Sequence, residues 1–124
     1  MSKYIKNSQS GEDYLECVYL LSKSQSIVHR IDVAKRMGVS QPAVNKAMKL
    51  LVEKGYVYED GKHLFLSEEG QASAQAVYEK HCLVRDFLVQ LGVSPAVAAE
   101  DACHMEHILS EETIQAMKAH TKKS

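Results

Sequence analysis

Long hydrophobic stretches are missing from this sequence of 124 residues. No apolar run approaches the roughly 18 residues that a membrane-spanning helix needs, and no charged segment followed by an apolar one opens the chain. Cysteine is scarce too, because Cys17, Cys82 and Cys103 are an odd number without a close pairing motif. Such a set favours reduced thiols over a disulfide framework. The sequence therefore predicts a cytoplasmic protein that has no membrane partner.

A strong net charge is also absent, since 15 Lys and Arg oppose 16 Asp and Glu for a formal net charge of −1. This balance argues against a general nucleic-acid coating protein. The charges are nevertheless uneven. Residues 1–50 hold eight basic and four acidic residues, a net of +4, which leaves seven basic and twelve acidic residues, a net of −5, for residues 51–124. A basic front half indicates a DNA-facing surface, and an acidic back half indicates a region that faces a cation or a partner.

Apolar residues recur at helical spacing through most of the chain. Gly38 marks the end of one helix, Ser40 is a good N-cap for the next, and Pro42 suits its first turn. Asp60-Gly61-Lys62, between two short apolar segments, predicts a β-hairpin. The patterns predict helices at about 11–24, 30–37, 41–54 and 95–109, a long helix from the Ser67 cap to Gly92, and a last short helix that begins at Ser110.

Two helices around a glycine-containing turn, the second beginning with small polar and basic residues, are typical of a helix-turn-helix, and the hairpin that follows is its expected wing. The predicted fold is therefore mainly α, with a winged helix-turn-helix DNA-binding domain at residues 1–67 and an all-α domain at residues 68–124. A second domain this small is expected to pair with a second copy of the chain.

Nine residues are candidates for DNA contacts. Side chains on the first turns of the helix at 41–54 can reach base edges in the major groove, whereas basic residues around it suit phosphates. A solvated surface is an equal alternative for any one of them. The residues expected at base edges are Gln41, Ala43, Asn45 and Lys46, and Pro42 in the same turn is a further DNA-binding candidate; those expected at phosphates are Lys35, Arg36 and Lys49. Lys62 at the tip of the wing, beside His63, is expected at the DNA backbone or in the minor groove.

The strongest chemical pattern lies near the carboxyl end. Cys103, Glu106 and His107 are spaced i, i+3 and i+4, which places a thiol, a carboxylate and an imidazole on one face of a helical turn. Asp13 and Glu16 repeat the i, i+3 spacing on the first helix, and His81 is available from the long helix. This mixture of oxygen, nitrogen and sulfur donors suits first-row divalent metals better than Mg²⁺ or Ca²⁺.

Three segments of the sequence resemble the diphtheria toxin repressor family, and its short manganese-responsive members most closely. The likeness runs from about residue 10 to 115. It implies a metal-activated repressor that acts as a homodimer on double-stranded DNA, a helical metal-binding and dimerisation domain, and a site for two neighbouring ions. The segments are Glu12-Asp13-Tyr14-Leu15-Glu16 with Tyr19-Leu20-Leu21, Val39-Ser40 to Val44, and Glu100-Asp101-Ala102-Cys103 to Ser110; the implied ligands are Asp13, Glu16, His81, Glu106 and His107.

Position 103 departs from the manganese type. The chain has Cys103, as the iron-responsive members do, where manganese-responsive members have a carboxylate. Iron-responsive members have methionine at the place of Asp13 and further ligands at the places of Arg85 and Ala99, so their ancillary site is not expected here, nor is their carboxyl-terminal domain. Thiolate favours Fe²⁺, Co²⁺ or Zn²⁺, while carboxylates favour harder ions. Mn²⁺ and Fe²⁺ are therefore expected almost equally, with Zn²⁺ or Co²⁺ as occupants in vitro.

The sequence thus predicts a transcriptional repressor that a divalent transition metal activates and that controls metal homeostasis. The main alternative is a metal-independent winged-helix regulator that responds to a small organic ligand or to oxidation of Cys103. A third possibility, a winged helix with a purely structural or protein-interaction role, predicts no salt-dependent DNA binding. Cys103 and His107 have the residue types of a nucleophilic pair, but no motif orients them, so an enzyme is not expected.

Overall fold

The computed structural model describes the backbone of residues 11–123 and the side chains of residues 11–121. This part of the chain forms six helices and one β-hairpin, so the predicted, mainly helical fold is confirmed. None of these helices is both long and apolar enough to cross a membrane. The helices are α1 (Gly11–Ser24), α2 (Arg30–Met37), α3 (Gln41–Glu53), α4 (Glu68–Leu91), α5 (Pro95–Met105) and α6 (Glu111–Lys123), and the strands are β1 (Val57–Asp60) and β2 (His63–Leu66).

Two compact units divide the chain, and the boundary falls within α4: the first ends at Gln75 and the second begins at Ala76. The first unit contains the helix-turn-helix. Gly38 ends α2 in the left-handed conformation, with φ of 68°, which glycine adopts without steric cost. The side chain of Ser40 then accepts a hydrogen bond from the backbone N–H of Ala43 and caps α3. The apolar face of α3 is buried through Val44, Met48 and Leu51.

The predicted wing is an antiparallel pair in which Val57 lies opposite Leu66 and Asp60 lies opposite His63. Gly61 has φ of 65°, as the tight turn requires. Because Val57 and Leu64 are buried, the hairpin is anchored to the core of the first unit. The backbone N–H of Leu64 also donates to the carbonyl of Val28, 2.8 Å away, which joins the wing to the segment before α2.

The start of α4 passes very close to the segment that leads into the wing. Ser67 Oγ donates to the carbonyl of Gly55 at 2.5 Å and accepts from the N–H of Gly70 at 3.0 Å. Gly70 is buried, and a Cβ atom at this position would overlap the carbonyl of Tyr56. Glycine is therefore required at position 70, where the backbone of α4 lies against the backbone of Tyr56.

The second unit packs α4, α5 and α6 around a core of Val84, Ala102, Ile114 and Met117. The helix predicted for residues 95–109 is shorter, because α5 ends at Met105. The N–H of His107 bonds the carbonyl of His104, three residues back, so the helix tightens before the chain turns. Ser110 then caps a helix that extends for 13 residues and is longer than expected.

Candidate metal centre and nucleic-acid interface

The second unit brings four predicted metal donors close together. The Nδ1 atom of His81, on α4, lies 2.9 Å from Oε1 of Glu106 and 3.8 Å from Sγ of Cys103. The Nε2 atom of His107 lies 3.7 Å from the other carboxylate oxygen, Oε2, of Glu106. Cys103 lies in the last turn of α5, Glu106 caps that helix and His107 lies in the turn beyond it. The i, i+3, i+4 spacing of Cys103, Glu106 and His107 predicted that they share one regular helical turn. This prediction is wrong, because the helix ends at Met105.

Glu106 is the central group of this cluster. Its side chain is only 1% exposed, the one charged residue buried to that degree in the described part of the chain. Its Oε2 atom is buried and has no hydrogen-bond partner among the described residues. Burying an ionised carboxylate with an oxygen unsatisfied is costly unless a cation or a donor compensates it. The residues around Glu106 therefore fit a bound cation.

His81 carries the proton that a cation would have to displace. Its contacts with Cys103 and with Glu106 raise its pKa from 6.5 to about 10, although partial burial acts in the opposite direction. At neutral pH the imidazole is consequently protonated and lies against the carboxylate. The ring is also stacked at 6.4 Å on the ring of Tyr78, one turn earlier on α4. Tyr78 was not singled out from the sequence, although its i, i+3 spacing from His81 was a readable signal.

The remaining predicted donors, Asp13 and Glu16, lie in the first unit. Both belong to the first two turns of α1, are half-buried and are three residues apart, so their carboxylates project from one side of the helix. Cys17, the next residue, is buried. Burial raises the pKa of its thiol to about 11, an effect that nearby Glu16 reinforces and Arg36 opposes. Cys17 is therefore a protonated residue of the core.

The predicted DNA-contacting residues lie on one helix-turn-helix and its wing. Ala43 and Gln41 are half-buried at the start of α3, and Gln41 Nε2 lies 3.4 Å from Oδ1 of Asn45. The other candidates are exposed, as a contact surface requires: Lys35 and Arg36 on α2, Pro42, Asn45, Lys46 and Lys49 on α3, and Lys62 at the tip of the wing.

Two residues of this surface escaped the sequence analysis. Arg30, the first residue of α2, pairs with both carboxylate oxygens of Glu59 on β1, at 2.7 Å from Nε and 2.6 Å from Nη2. These hydrogen bonds raise the pKa of Arg30 further above its usual value. Because the partners are 29 residues apart, no local spacing could have revealed them. With Gln41 and Lys62, they line a groove of about 560 Å³ between α3 and the wing.

Comparison with known proteins gives one family for both halves of the chain. Residues 6–64 match the model of the iron dependent repressor, N-terminal DNA binding domain. Residues 67–123 match the model of the iron dependent repressor, metal binding and dimerisation domain.

Individual relatives agree with these matches. The transcriptional regulator MntR of Escherichia coli O6:H1 is 41% identical over 113 residues, which are 90% of this chain and 73% of the relative. The crystal structure of the metal-dependent transcriptional regulator MtsR superposes with a TM-score of 0.86 at 30% identity, over 92% of this chain and 54% of that one. The structure of a manganese-dependent transcriptional repressor in complex with manganese gives a TM-score of 0.82 at 28% identity, over 90% of this chain and 52% of that one. The chain thus spans about half the length of these solved structures.

Proposed function

The chain belongs to the family of iron-dependent repressors, which are metal-dependent DNA-binding regulators of transcription, and we propose that Mn²⁺ or Fe²⁺ activates its binding to operator DNA. In this proposal residues 1–67 contact the DNA and supply two of the metal ligands, and residues 68–124 supply the other ligands and form a homodimer. The regulated process is the homeostasis of the metal itself, because a repressor that is active only when loaded reports the supply of its ligand.

One observation carries the metal-binding part of the proposal. The buried Glu106 has an oxygen without a hydrogen-bond partner among the described residues, next to the imidazoles of His81 and His107. We propose that these three residues and Cys103 bind the ion, and that Asp13 and Glu16 of α1 supply further ligands. When bound, the metal neutralises the carboxylates and fixes the groups that ligate it.

The donor set favours a first-row divalent ion. Carboxylates suit Mn²⁺, imidazoles suit most transition metals, and the thiolate of Cys103 shifts the preference toward Fe²⁺, Co²⁺ and Zn²⁺. Manganese is the ion of the similar repressor complex, and Cys103 is what distinguishes this chain from the manganese type in its sequence. We therefore propose Mn²⁺ and Fe²⁺ as the physiological candidates, with Zn²⁺ and Co²⁺ as occupants in vitro.

Activation follows from the position of the ligands in the chain. Asp13 and Glu16 belong to a helix of the DNA-binding unit, whereas the other donors belong to the second unit. A metal ion bound by residues of both units would restrict the orientations that the two α3 helices of a dimer can adopt. An operator with a two-fold symmetric sequence would then bind the restricted state preferentially. A coupling of about 1–3 kcal/mol between metal and DNA changes affinity roughly 5–150-fold, and it is reciprocal.

A metal titration of DNA binding tests this function. Purified metal-free protein is titrated against labelled operator duplex under anaerobic conditions, with Mn²⁺, with Fe²⁺ and with a chelator. We expect tight, salt-dependent binding only when metal is present, and tighter metal binding when operator is present. Equal DNA affinity with and without metal would show that metal does not control this regulator, even though the fold is that of the family.

A further inference from the structure

The ion pair between Arg30 and Glu59 also contacts Asn45 on α3, the helix whose first turns are expected to face the DNA. While Nε and Nη2 of Arg30 bind the carboxylate of Glu59, its Nη1 atom donates to Oδ1 of Asn45 at 3.0 Å. The side chains of the pair are 29% and 25% exposed, so both are partly shielded by their surroundings. A bidentate ion pair that is partly shielded from solvent holds the guanidinium of Arg30 in one orientation. The amide of Asn45, which Nη1 contacts, is held with it.

The chemistry of arginine determines which way the Asn45 amide faces. Arginine has five N–H donors and no acceptor, so only the oxygen of the amide can point toward Arg30. Gln41 Nε2 lies 3.4 Å from the same oxygen. Oδ1 of Asn45 therefore has its two acceptor positions directed at protein donors, and Asn45 is exposed. The amide presents its Nδ2 group, which is a donor, to whatever approaches α3.

Base edges in the major groove differ in what they can offer such a donor. Asparagine reads adenine with both amide atoms, since Oδ1 accepts from N6 and Nδ2 donates to N7. An asparagine whose oxygen is engaged loses half of that pattern. Guanine, with acceptors at N7 and O6, and thymine, with an acceptor at O4, remain good partners for an amide that only donates.

We propose that Arg30, held by Glu59, is a positioning residue that fixes Asn45 as a hydrogen-bond donor and so makes it select guanine or thymine over adenine in the operator. The proposal rests on the DNA-binding function inferred above. It also gives the wing a part in sequence selection without any base contact of its own, because Glu59 belongs to β1.

A charge exchange at the pair provides the test. The double variant Arg30→Glu/Glu59→Arg keeps an ion pair between α2 and the wing, but places a carboxylate, which only accepts, against Asn45. The amide must then turn its Nδ2 group toward position 30 and present Oδ1 to the DNA. Metal-loaded wild type and variants are used to select duplexes from a randomised library, and Asn45→Ala identifies the base pair that Asn45 reads. Arg30→Leu removes the constraint altogether.

We expect wild-type protein to prefer guanine or thymine at that base pair. The charge-exchanged variant should prefer adenine or cytosine there, with relative affinities shifted about fivefold to tenfold or more, whereas Arg30→Leu should discriminate less at this position alone. The matched control is Arg36→Leu, which removes an exposed arginine from the same helix. It should weaken binding about equally for all sequences and reduce the salt dependence.

The possible results distinguish a failure of the DNA-binding function from a failure of the positioning role of Arg30. If wild-type protein selects no sequence, the DNA-binding function itself is wrong. If a sequence is selected but the charge-exchanged variant keeps the wild-type preference at the base pair that Asn45→Ala identifies, or if Asn45→Ala changes no position, the positioning role is wrong. Circular dichroism and thermal unfolding of each variant check that a lost preference does not reflect an unfolded domain.

Discussion

The Nδ1 atom of His81 and the Oε1 atom of Glu106 lie 2.9 Å apart, although 25 residues separate them in the sequence. The pair combines a buried carboxylate with a protonated imidazole, and the second oxygen of that carboxylate has no hydrogen-bond partner in the described structure. Without metal, the proton on His81 compensates part of the charge of Glu106. A divalent cation bound by both residues would replace that proton.

Glu106→Gln tests the role of the buried carboxylate. Glutamine has the same shape but no charge, so we expect Mn²⁺ and Zn²⁺ to bind more weakly by at least the roughly 10–100-fold that loss of an outer ligand partner costs. Calorimetric titration measures this affinity. The control is Glu100→Gln, an exposed acid on α5, which should bind metal as the wild type does. Equal losses in both variants would point to general electrostatics instead of ligation.

Metal binding should depend on pH through His81. Its pKa is raised to about 10 by Cys103 and Glu106, so below about pH 10 the imidazole of the folded, metal-free protein holds a proton that metal must release. Metal affinity should therefore increase as pH rises toward 10, and calorimetry in buffers of different ionisation enthalpy should detect the released proton. In His81→Gln the number of protons released on metal binding should fall by one, because only the proton of the imidazole is removed, and His104→Gln is the matched control. Proton release that is unchanged in His81→Gln would exclude His81 as its source.

The raised pKa of His81 should also make the folding stability of the metal-free protein decrease as pH rises, whereas metal affinity increases. Because the folded-state pKa of His81 exceeds its ordinary value of 6.5, the folded state binds more protons than the unfolded state between these values. The contribution of His81 to stability is complete below pH 6.5 and is lost as pH rises through about 10. Denaturant unfolding of metal-free protein across this range should show the loss, and His81→Gln should show less of it.

Cys103→Asp should change metal selectivity more than total affinity. Replacing a soft sulfur donor with a carboxylate should favour Mn²⁺ relative to Zn²⁺ and Co²⁺. Wild-type protein loaded with Co²⁺ should show thiolate-to-cobalt charge-transfer absorption, which both Cys103→Asp and Cys103→Ser should lack. Cys82→Ser, which alters the half-buried cysteine beside His81, should retain the band. Retention of the band in Cys103→Ser would show that another thiol binds the ion.

The three thiols should differ in reactivity. Burial raises the pKa of Cys17 to about 11, so little thiolate forms at pH 8, whereas Cys103 is exposed. Alkylation followed by peptide mass spectrometry should modify Cys103 first and leave Cys17 largely unmodified in the folded protein. Bound metal should slow the modification of Cys103. Rapid labelling of Cys17 in folded protein would contradict its place in the core.

Gly70→Ala should destabilise the first unit. The added methyl group would overlap the backbone carbonyl of Tyr56, so either α4 or the segment before the wing must move, at a cost of about 1–3 kcal/mol in the free energy of unfolding. Gly11→Ala is the control, since a Cβ there meets nothing within 4 Å. Chemical denaturation of metal-free protein at one fixed concentration compares the two variants. Similar free energies of unfolding for the two variants would mean that α4 and the segment at Tyr56 can move apart at little cost.

Local patterns were enough to predict most of the first unit. The stop at Gly38, the Ser40 cap and the Asp60-Gly61 turn act within a few residues, and each stands where the spacing predicted it. The end of α5 was predicted wrongly. The helical spacing of apolar residues continues to residue 109, but α5 ends at Met105. The chain reverses after Met105, and Ile114 and Met117 of α6 then pack in the core of the second unit.

The helix-turn-helix, the wing and the types of donor at positions 103, 106 and 107 could be predicted from local patterns, because helix periodicity, capping and turn chemistry are encoded within about four residues. Two features became evident only from the folded chain: Glu106 is buried beside His81 with an oxygen that has no hydrogen-bond partner among the described residues, and Arg30 contacts both Glu59 and Asn45. Burial and contacts between distant residues arise when elements pack together, and no local pattern in the sequence specifies them.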